Sequence, residues 1–148
     1  MPELRPLRWF GPSRREVGAL PDDVKRRIGF RLRRLQNGEE AHDENIRAFG
    51  EDRRLRGIVK LVADGEDGNT YRTAVAASFP EGLWVIDVFE KRASSGVGTP
   101  KKDLDRIVSR LARLRAFRES EEGRQEIRAM LDEADRSRAE RGLGGRGR

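Results

Sequence analysis

The sequence predicts an α+β domain, in which a twisted antiparallel sheet carries an N-terminal helical hairpin and a C-terminal helix packed on one face. The first supporting observation is a pair of segments between residues 13 and 36 with apolar residues at helical spacing. The second is an apolar helical stripe that begins after Thr99-Pro100. The third is a series of three strand-like segments joined by short turns, at 57–62, 70–79 and 83–90.

The helical hairpin is predicted from signals at its ends as well as from its apolar stripe. Ser13 is suited to cap the first helix, and Glu16, three residues later, completes a capping box. Pro21 suits the first turn of a second helix, which Asn37-Gly38 ends. The stretch 39–56 is polar and is expected to be irregular. The buried positions predicted for the second helix are Val24, Ile28, Leu32 and Leu35.

Alternation along the strand at 70–79 divides its side chains between two faces. Tyr71 falls on one face and is predicted to belong to the core. Arg72 falls on the other face, which otherwise carries small side chains. We therefore expect an open, shallow groove around Arg72, on the face of the sheet that the helices leave free. The small residues that line this groove are Ala74, Ala76 and Ser78.

The chain changes character after residue 115. A loop at 94–98 leads to the helix from Pro100, after which residues 116–141 are highly charged and have only a thin apolar stripe. This pattern predicts an appended helix that is marginal on its own. The Gly/Arg tail at 142–148 is expected to be disordered. We therefore predict a domain of residues 1–115, and we expect the rest of the chain to be dispensable for its activity and to contribute to binding.

The charge of the chain suggests a polyanionic partner. The 148 residues have a formal net charge of +6 and a pI near 10.4. Arginine supplies 27 of the 32 basic residues, because only five are lysine. The planar guanidinium binds phosphate through two hydrogen bonds, so this bias favours nucleic acid. A solvated basic surface in a protein from a GC-rich genome explains the same bias equally well.

Several classes of protein are excluded by composition. The absence of cysteine excludes a disulfide framework and thiolate-bound zinc, and it indicates a reducing compartment. His42 is the single histidine, which excludes a multi-histidine metal site. No apolar run approaches the ~20 residues that span a bilayer, and the first residues lack the apolar stretch of a secretory signal. We therefore expect a cytoplasmic protein with no membrane partner.

Three segments together resemble a known family. In their order and spacing they are similar to the phage-derived, HigB-like branch of the RelE/ParE toxin superfamily, over about residues 7–115. Many members of that branch carry a histidine where Asp87 stands and a glutamate in the strand that holds Lys60. The segments that carry the resemblance are Trp9-Phe10-Gly11-Pro12-Ser13 with Leu20-Pro21, Asn69-Thr70-Tyr71-Arg72, and Phe89-Glu90-Lys91-Arg92 with Thr99-Pro100-Lys101-Lys102.

The resemblance implies a RelE-like fold and the toxin of a type II toxin–antitoxin system. Such toxins bind in the ribosomal A site and cut mRNA there, which implies a metal-independent endoribonuclease, or mRNA interferase, without a cofactor. The implied partners are a cognate helix-turn-helix antitoxin, the ribosome and mRNA, with operator DNA reached only through the antitoxin complex. Two alternatives stay open: a ParE-like inhibitor of DNA gyrase that cuts nothing, and a catalytically inactive phage-derived relative that binds nucleic acid.

Candidate site residues follow from what metal-free RNA cleavage requires. The 2′-hydroxyl must lose a proton, the charge on the phosphorane must be stabilised, and the leaving oxygen must gain a proton. Arg72 is the predicted stabiliser, Lys91 is predicted to hold the phosphate or protonate the leaving oxygen, and Lys60 to lower the pKa of the 2′-hydroxyl. Phe89 either stacks on a base or packs at the sheet edge. The predicted RNA-binding residues are Arg92, Lys101, Lys102, Phe89, Arg54 and Arg56.

Overall fold

The computed structural model describes residues 4–50, 52–92 and 98–146, with the backbone alone described for 141–146. None of the described helices combines the length and the apolarity that a membrane crossing needs. Short 3-10 helices lie on either side of the second strand. The strands are β1 (Leu7–Trp9), β2 (Ile46–Ala48), β3 (Ile58–Asp64), β4 (Thr70–Ala76) and β5 (Leu83–Lys91). The helices are α1 (Ser13–Gly18), α2 (Asp22–Gln36), α3 (Lys101–Glu119) and α4 (Glu121–Arg146).

Most of the predicted elements are confirmed. The helices α1 and α2 form in the segment predicted for the hairpin, and all four apolar positions predicted for α2 are buried. The strands β3, β4 and β5 form the predicted meander. The strand β2 was not predicted, because it is a three-residue strand in the stretch expected to be irregular. Of the loop predicted at 94–98, all but Gly98 lies outside the described residues.

The five strands form one sheet in the order β1-β5-β4-β3-β2. The central pairings are antiparallel, as expected, whereas β1 lies parallel to β5 and pairs Leu7 with Leu83. A register shift between Ala74 and Val75 interrupts the ladder with β5. As a result, two successive residues of β5, Ile86 and Asp87, both face α3.

The expected α+β architecture is confirmed, but the helices cover both faces of the sheet rather than one. On β4, Tyr71 and Val75 belong to a cluster with α2, whereas the alternate residues Ala74 and Ala76 belong to a cluster with α3. Because successive side chains of a strand point to opposite faces, the two helical layers lie on opposite sides. The α2-side cluster is centred on Val24, Ile28, Leu35, Leu61 and Val85, and the α3-side cluster on Ile86, Ile107, Leu111, Leu114 and Trp84.

The small residues of β4 therefore do not line an open groove along the whole strand. Ala74 and Ala76 are 0% and 1% exposed, because both belong to the α3-side core cluster, together with Ile107 and Leu111. Alanine on a strand lets a helix approach the sheet closely, so small side chains here mark a helix contact. The groove prediction is wrong at these two positions, whereas Arg72 is half-buried and Ser78 is exposed.

The helix α4 packs on the same side of the sheet as α3. Its Met130 is fully buried in the α3-side cluster, and Arg8 of β1 bonds Glu126 at 2.8 Å and Glu133 at 3.1 Å. The helix α3 runs through residue 115 to Glu119, and α4 extends to Arg146, into the segment expected to be disordered. Residues 147–148 lie outside the described residues. The division of the chain at residue 115 stays a prediction, and the burial of Met130 gives a physical reason to test it.

Candidate functional site

Arg72 occupies the centre of the candidate site, on the middle strand of the sheet. The register places it opposite Val62 of β3 and Phe89 of β5, which are 8% and 7% exposed. Arg72 itself is half-buried. It lies on the α3-side face, two residues along β4 from Ala74, which α3 covers. The Nε and Nη1 atoms of its guanidinium are buried at the margin of the covered region, where a charge is less screened than in bulk water.

Lys60 and Lys91 lie on the same face, on the strands that flank β4. Lys60 pairs with Ala74 and Lys91 pairs with Thr70, so each is a diagonal neighbour of Arg72, at about 7–8 Å in a sheet. Lys91 is only 8% exposed. Lys60 is half-buried, and its ammonium lies 5.0 Å from the centroid of the Phe49 ring. The three residues predicted to be catalytic are thus brought together; their catalytic roles stay predictions.

A second group of basic residues lies where α3 begins. Arg54 bonds Asp52 at 2.6 Å and Asp105 at 3.4 Å, and Lys101 bonds the same Asp105 at 3.2 Å. Leu55, next to Arg54, belongs to the α3-side cluster, so this rim lies on the same side of the sheet as Arg72. The Arg54 guanidinium lowers the pKa of Asp52 to about 2. Three further predicted RNA-binding residues are exposed: Arg56, Arg92 and Lys102.

Phe89 is the predicted RNA-binding residue that the structure places in the core. Its ring packs in the α3-side cluster, with 7% of the residue exposed. Stacking on a base requires an accessible ring face, so packing is the role that the geometry supports. Tyr71 lies on the opposite face, as predicted, and donates a 2.5 Å hydrogen bond to Asp67. That hydrogen bond, together with burial, raises the pKa of Tyr71 to about 12.

A buried charge network beside the site was missed by sequence reasoning. Asp87 is 0% exposed and accepts hydrogen bonds from Arg106 at 2.9 Å and from Arg110 at 2.6 Å. Arg110 also bonds Glu16 of α1, and Arg106 bonds Asp103. Burial raises the pKa of Asp87, and the hydrogen bond from Arg106 opposes this rise. The signal in the sequence was a single carboxylate inside an apolar strand, which needs a buried cationic partner.

The network fixes the geometry of the site. Asp87 is, like Lys91, a diagonal neighbour of Arg72 on β5. Both of its carboxylate oxygens, however, accept hydrogen bonds from guanidinium groups of α3. The network joins α1, β5 and α3, and so sets the start of α3 against the strand that carries Lys91. The result is a row of three cations on one face of the sheet, which is an arrangement suited to binding and stabilising a phosphate.

The architecture of the sheet and its helices is consistent with a RelE-like fold. The chain belongs to the family described as phage derived protein Gp49-like (DUF891), whose model matches residues 15–112. This family is a toxin family of toxin–antitoxin systems within the RelE/HigB-like toxins, and it implies an antitoxin partner. The chain matches no curated protein and no solved structure.

Proposed function

We propose that this protein is a ribosome-dependent mRNA endonuclease of the HigB-like branch, held inactive by a helix-turn-helix antitoxin. The observation that carries the proposal is the row of Lys60, Arg72 and Lys91 across three adjacent strands. The family makes the protein a toxin, and a cationic row favours a phosphodiester as its target. The exposed basic rim at the start of α3 extends the positive surface on which an RNA strand would lie.

The proposed reaction is an internal transfer within the RNA. The 2′-oxygen forms a bond to phosphorus, the bond from phosphorus to the 5′-oxygen breaks, and the product is a 2′,3′-cyclic phosphate. Arg72 stabilises the charge that develops on the phosphorane oxygens. Lys60 lies at one end of the row and lowers the pKa of the 2′-hydroxyl, whose proton passes to solvent water. Lys91 lies at the other end and protonates the departing 5′-oxygen.

The proposal is tested by inducing the protein in growing bacteria and mapping the 5′ ends of cellular mRNA. We expect growth arrest with new ends inside translated frames. Arg72→Ala should abolish both effects at matched expression, whereas Arg113→Ala, which removes an exposed arginine of α3, should preserve them. Growth arrest with double-strand DNA breaks and an SOS response, but without new mRNA ends, would instead establish a gyrase inhibitor. No arrest from the native protein would leave an inactive relative.

A further inference from the structure

The outward face of α2 carries an exposed aromatic residue among arginines. Phe30 is 58% exposed, the highest value among the large hydrophobic residues of the described chain. Arg26, Arg33 and Arg34 lie four residues before, three after and four after it, and positions three or four apart on a helix share one face. We call these four residues the α2 stripe. Because α2 packs on the face of the sheet opposite Arg72, the α2 stripe and the cationic row lie on opposite sides of the molecule.

The arginines of the α2 stripe differ in the contacts that they make within the protein. Arg34 is held in place: its guanidinium lies 5.5 Å from the Phe30 ring centroid, donates to the His42 carbonyl at 3.2 Å and lies 3.3 Å from Asp43. Arg26 and Arg33 are exposed, and neither makes an ion pair or a side-chain hydrogen bond within the described part of the chain. The α2 stripe therefore combines one fixed cation stacked on an accessible ring with two cations that stay available to an anion.

We propose that the α2 stripe is a second RNA-binding surface, which stacks an unpaired base on Phe30 and binds the flanking phosphates through Arg26 and Arg33. An aromatic ring interleaved with cations is the arrangement that binds single-stranded nucleic acid, because every base has a π face and every linkage a negative charge. The preference for RNA over DNA rests on the proposed function; the stacking and the charge pairing do not.

An acidic peptide is the competing occupant, and the surroundings of the α2 stripe disfavour it. The groove beside Phe30 is lined by Asp43 and Glu44 as well as by Arg31 and Arg34. Asp43 already lies within 3.3 Å of Arg34 and 3.9 Å of Arg31. A carboxylate side chain entering this groove would meet two carboxylates and arginines that already have an anionic partner. The available cations lie outside the groove, on the exposed helix face where a phosphate backbone has room to pass.

The test uses Phe30→Trp in the full chain, which keeps an aromatic ring at the position and adds a fluorophore to it. We expect an unlabelled, single-stranded 12-nucleotide RNA to quench the fluorescence of the introduced tryptophan, because a stacked base contacts its indole ring directly. The native protein is the control, because its Trp84 is buried and its Trp9 is only partly exposed. Quenching should weaken as salt rises.

Matched charge variants locate the binding. In the Phe30→Trp protein, Arg26→Gln with Arg33→Gln should weaken RNA affinity by about tenfold or more at low salt, as expected for two lost phosphate contacts. Arg128→Gln with Arg136→Gln removes the same charge from exposed positions of α4 and should change affinity by less than about threefold. Equal losses of RNA affinity in the two double variants would overturn the proposal. So would the absence of quenching by RNA, or quenching by polyglutamate but not by RNA.

The quenching of tryptophan fluorescence reports RNA binding at the α2 stripe and does not depend on RNA cleavage. Arg72→Ala should leave the quenching of the Phe30→Trp protein unchanged, because Arg72 lies on the other face of the sheet. If RNA quenches this protein but no mRNA is cut, the proposed function fails while the second RNA-binding surface stands. If mRNA is cut but quenching is absent, the second surface fails while the proposed function stands.

Discussion

The place of α4 in the domain leads to a prediction about Met130→Ala. Met130 is 0% exposed and lies among α3-side core residues, with its methyl group 3.2 Å from the position that a Cβ on Gly82 would take. Truncating a fully buried methionine removes its transfer free energy and leaves a cavity, at a cost of about 2–5 kcal/mol. For a chain of this length, a loss of about 3 kcal/mol corresponds to a fall of roughly 6–12 °C in Tm.

Leu131→Ala is the matched control for this prediction. Leu131 is the next residue of the same helix and is 42% exposed, so both substitutions place alanine in α4 but only one opens the core. The measurement is thermal and urea unfolding followed by far-UV circular dichroism. We expect Leu131→Ala to cost less than about 1 kcal/mol, because a large part of its surface is already in water and its removal opens no cavity in the core.

Equal stability of the two variants would refute this account of α4. The same outcome would favour the division at residue 115, in which the domain folds without the charged helix. The structure leads us to expect the opposite from a truncation after Arg115, because such a chain lacks Met130 and the Arg118 guanidinium that bonds buried Glu81 at 2.7 Å. A truncated protein that unfolds with native Tm would contradict the packing described here.

Three further predictions address the core and the charge network. Asp87→Ala should destabilise the fold by about 3 kcal/mol in urea unfolding, because it removes the fully buried anion that Arg106 and Arg110 share. Asp105→Ala, at a half-exposed site, should change stability little. Tyr71 is the single tyrosine, so absorbance at 295 nm reports its titration alone, and the midpoint should lie near 12 and fall towards 10 in Asp67→Ala. The folded protein holds this proton more tightly than the unfolded chain does. The titration of Tyr71 should therefore leave the free energy of unfolding unchanged below pH 10 and lower it progressively between pH 10 and about 12. Gly82→Ala should lower Tm markedly, because the glycine has φ +145° and an added methyl group would overlap the opposing backbone carbonyl; an unchanged Tm would contradict the described turn.

Local patterns in the sequence were sufficient to predict most of the secondary structure. The stripe from Val24 to Leu35 and the stripe from Leu104 to Leu114 predicted α2 and α3, because helical periodicity depends only on which face is buried. The strand β2 escaped prediction because three residues are too short to show alternation. Its pairing with β3 is a tertiary contact, between Ile46 and Leu61, that no local pattern in this segment reports.

The main error was the prediction that the helices pack on one face of the sheet, and its cause lies in β4 and β5. Leu83-Trp84-Val85-Ile86 is a continuous apolar run, all of it buried, and such a run is typical of a strand covered on both faces. The small residues Ala74 and Ala76 were interpreted as open surface, although alanine also allows a helix to pack closely. Alternation identifies which residues share a face, but it does not say what covers that face.

The sequence predicted the cationic residues of the candidate site but not the charge network beside them. Alternation placed Arg72 on one face, and the register of the neighbouring strands then brought Lys60 and Lys91 to it. The network around Asp87 was not predicted, because it joins residues that are far apart in sequence, as Glu16 and Arg110 are. Side chains of that kind meet only once the sheet and both helical layers are assembled.

The most direct test of the central claim is mRNA cleavage by the purified protein on ribosomes carrying a defined mRNA in the A site. We expect a discrete cut in the A-site codon with a 2′,3′-cyclic phosphate on the upstream fragment. Arg72→Ala should slow the single-turnover rate by about a hundredfold, the cost of losing one preorganised donor to the phosphorane, with Tm unchanged. Arg113→Ala should cut at the native rate. Cleavage by Arg72→Ala at the native rate, or no cleavage by the native protein, would contradict the claim that the row of Lys60, Arg72 and Lys91 is a site for RNA cleavage.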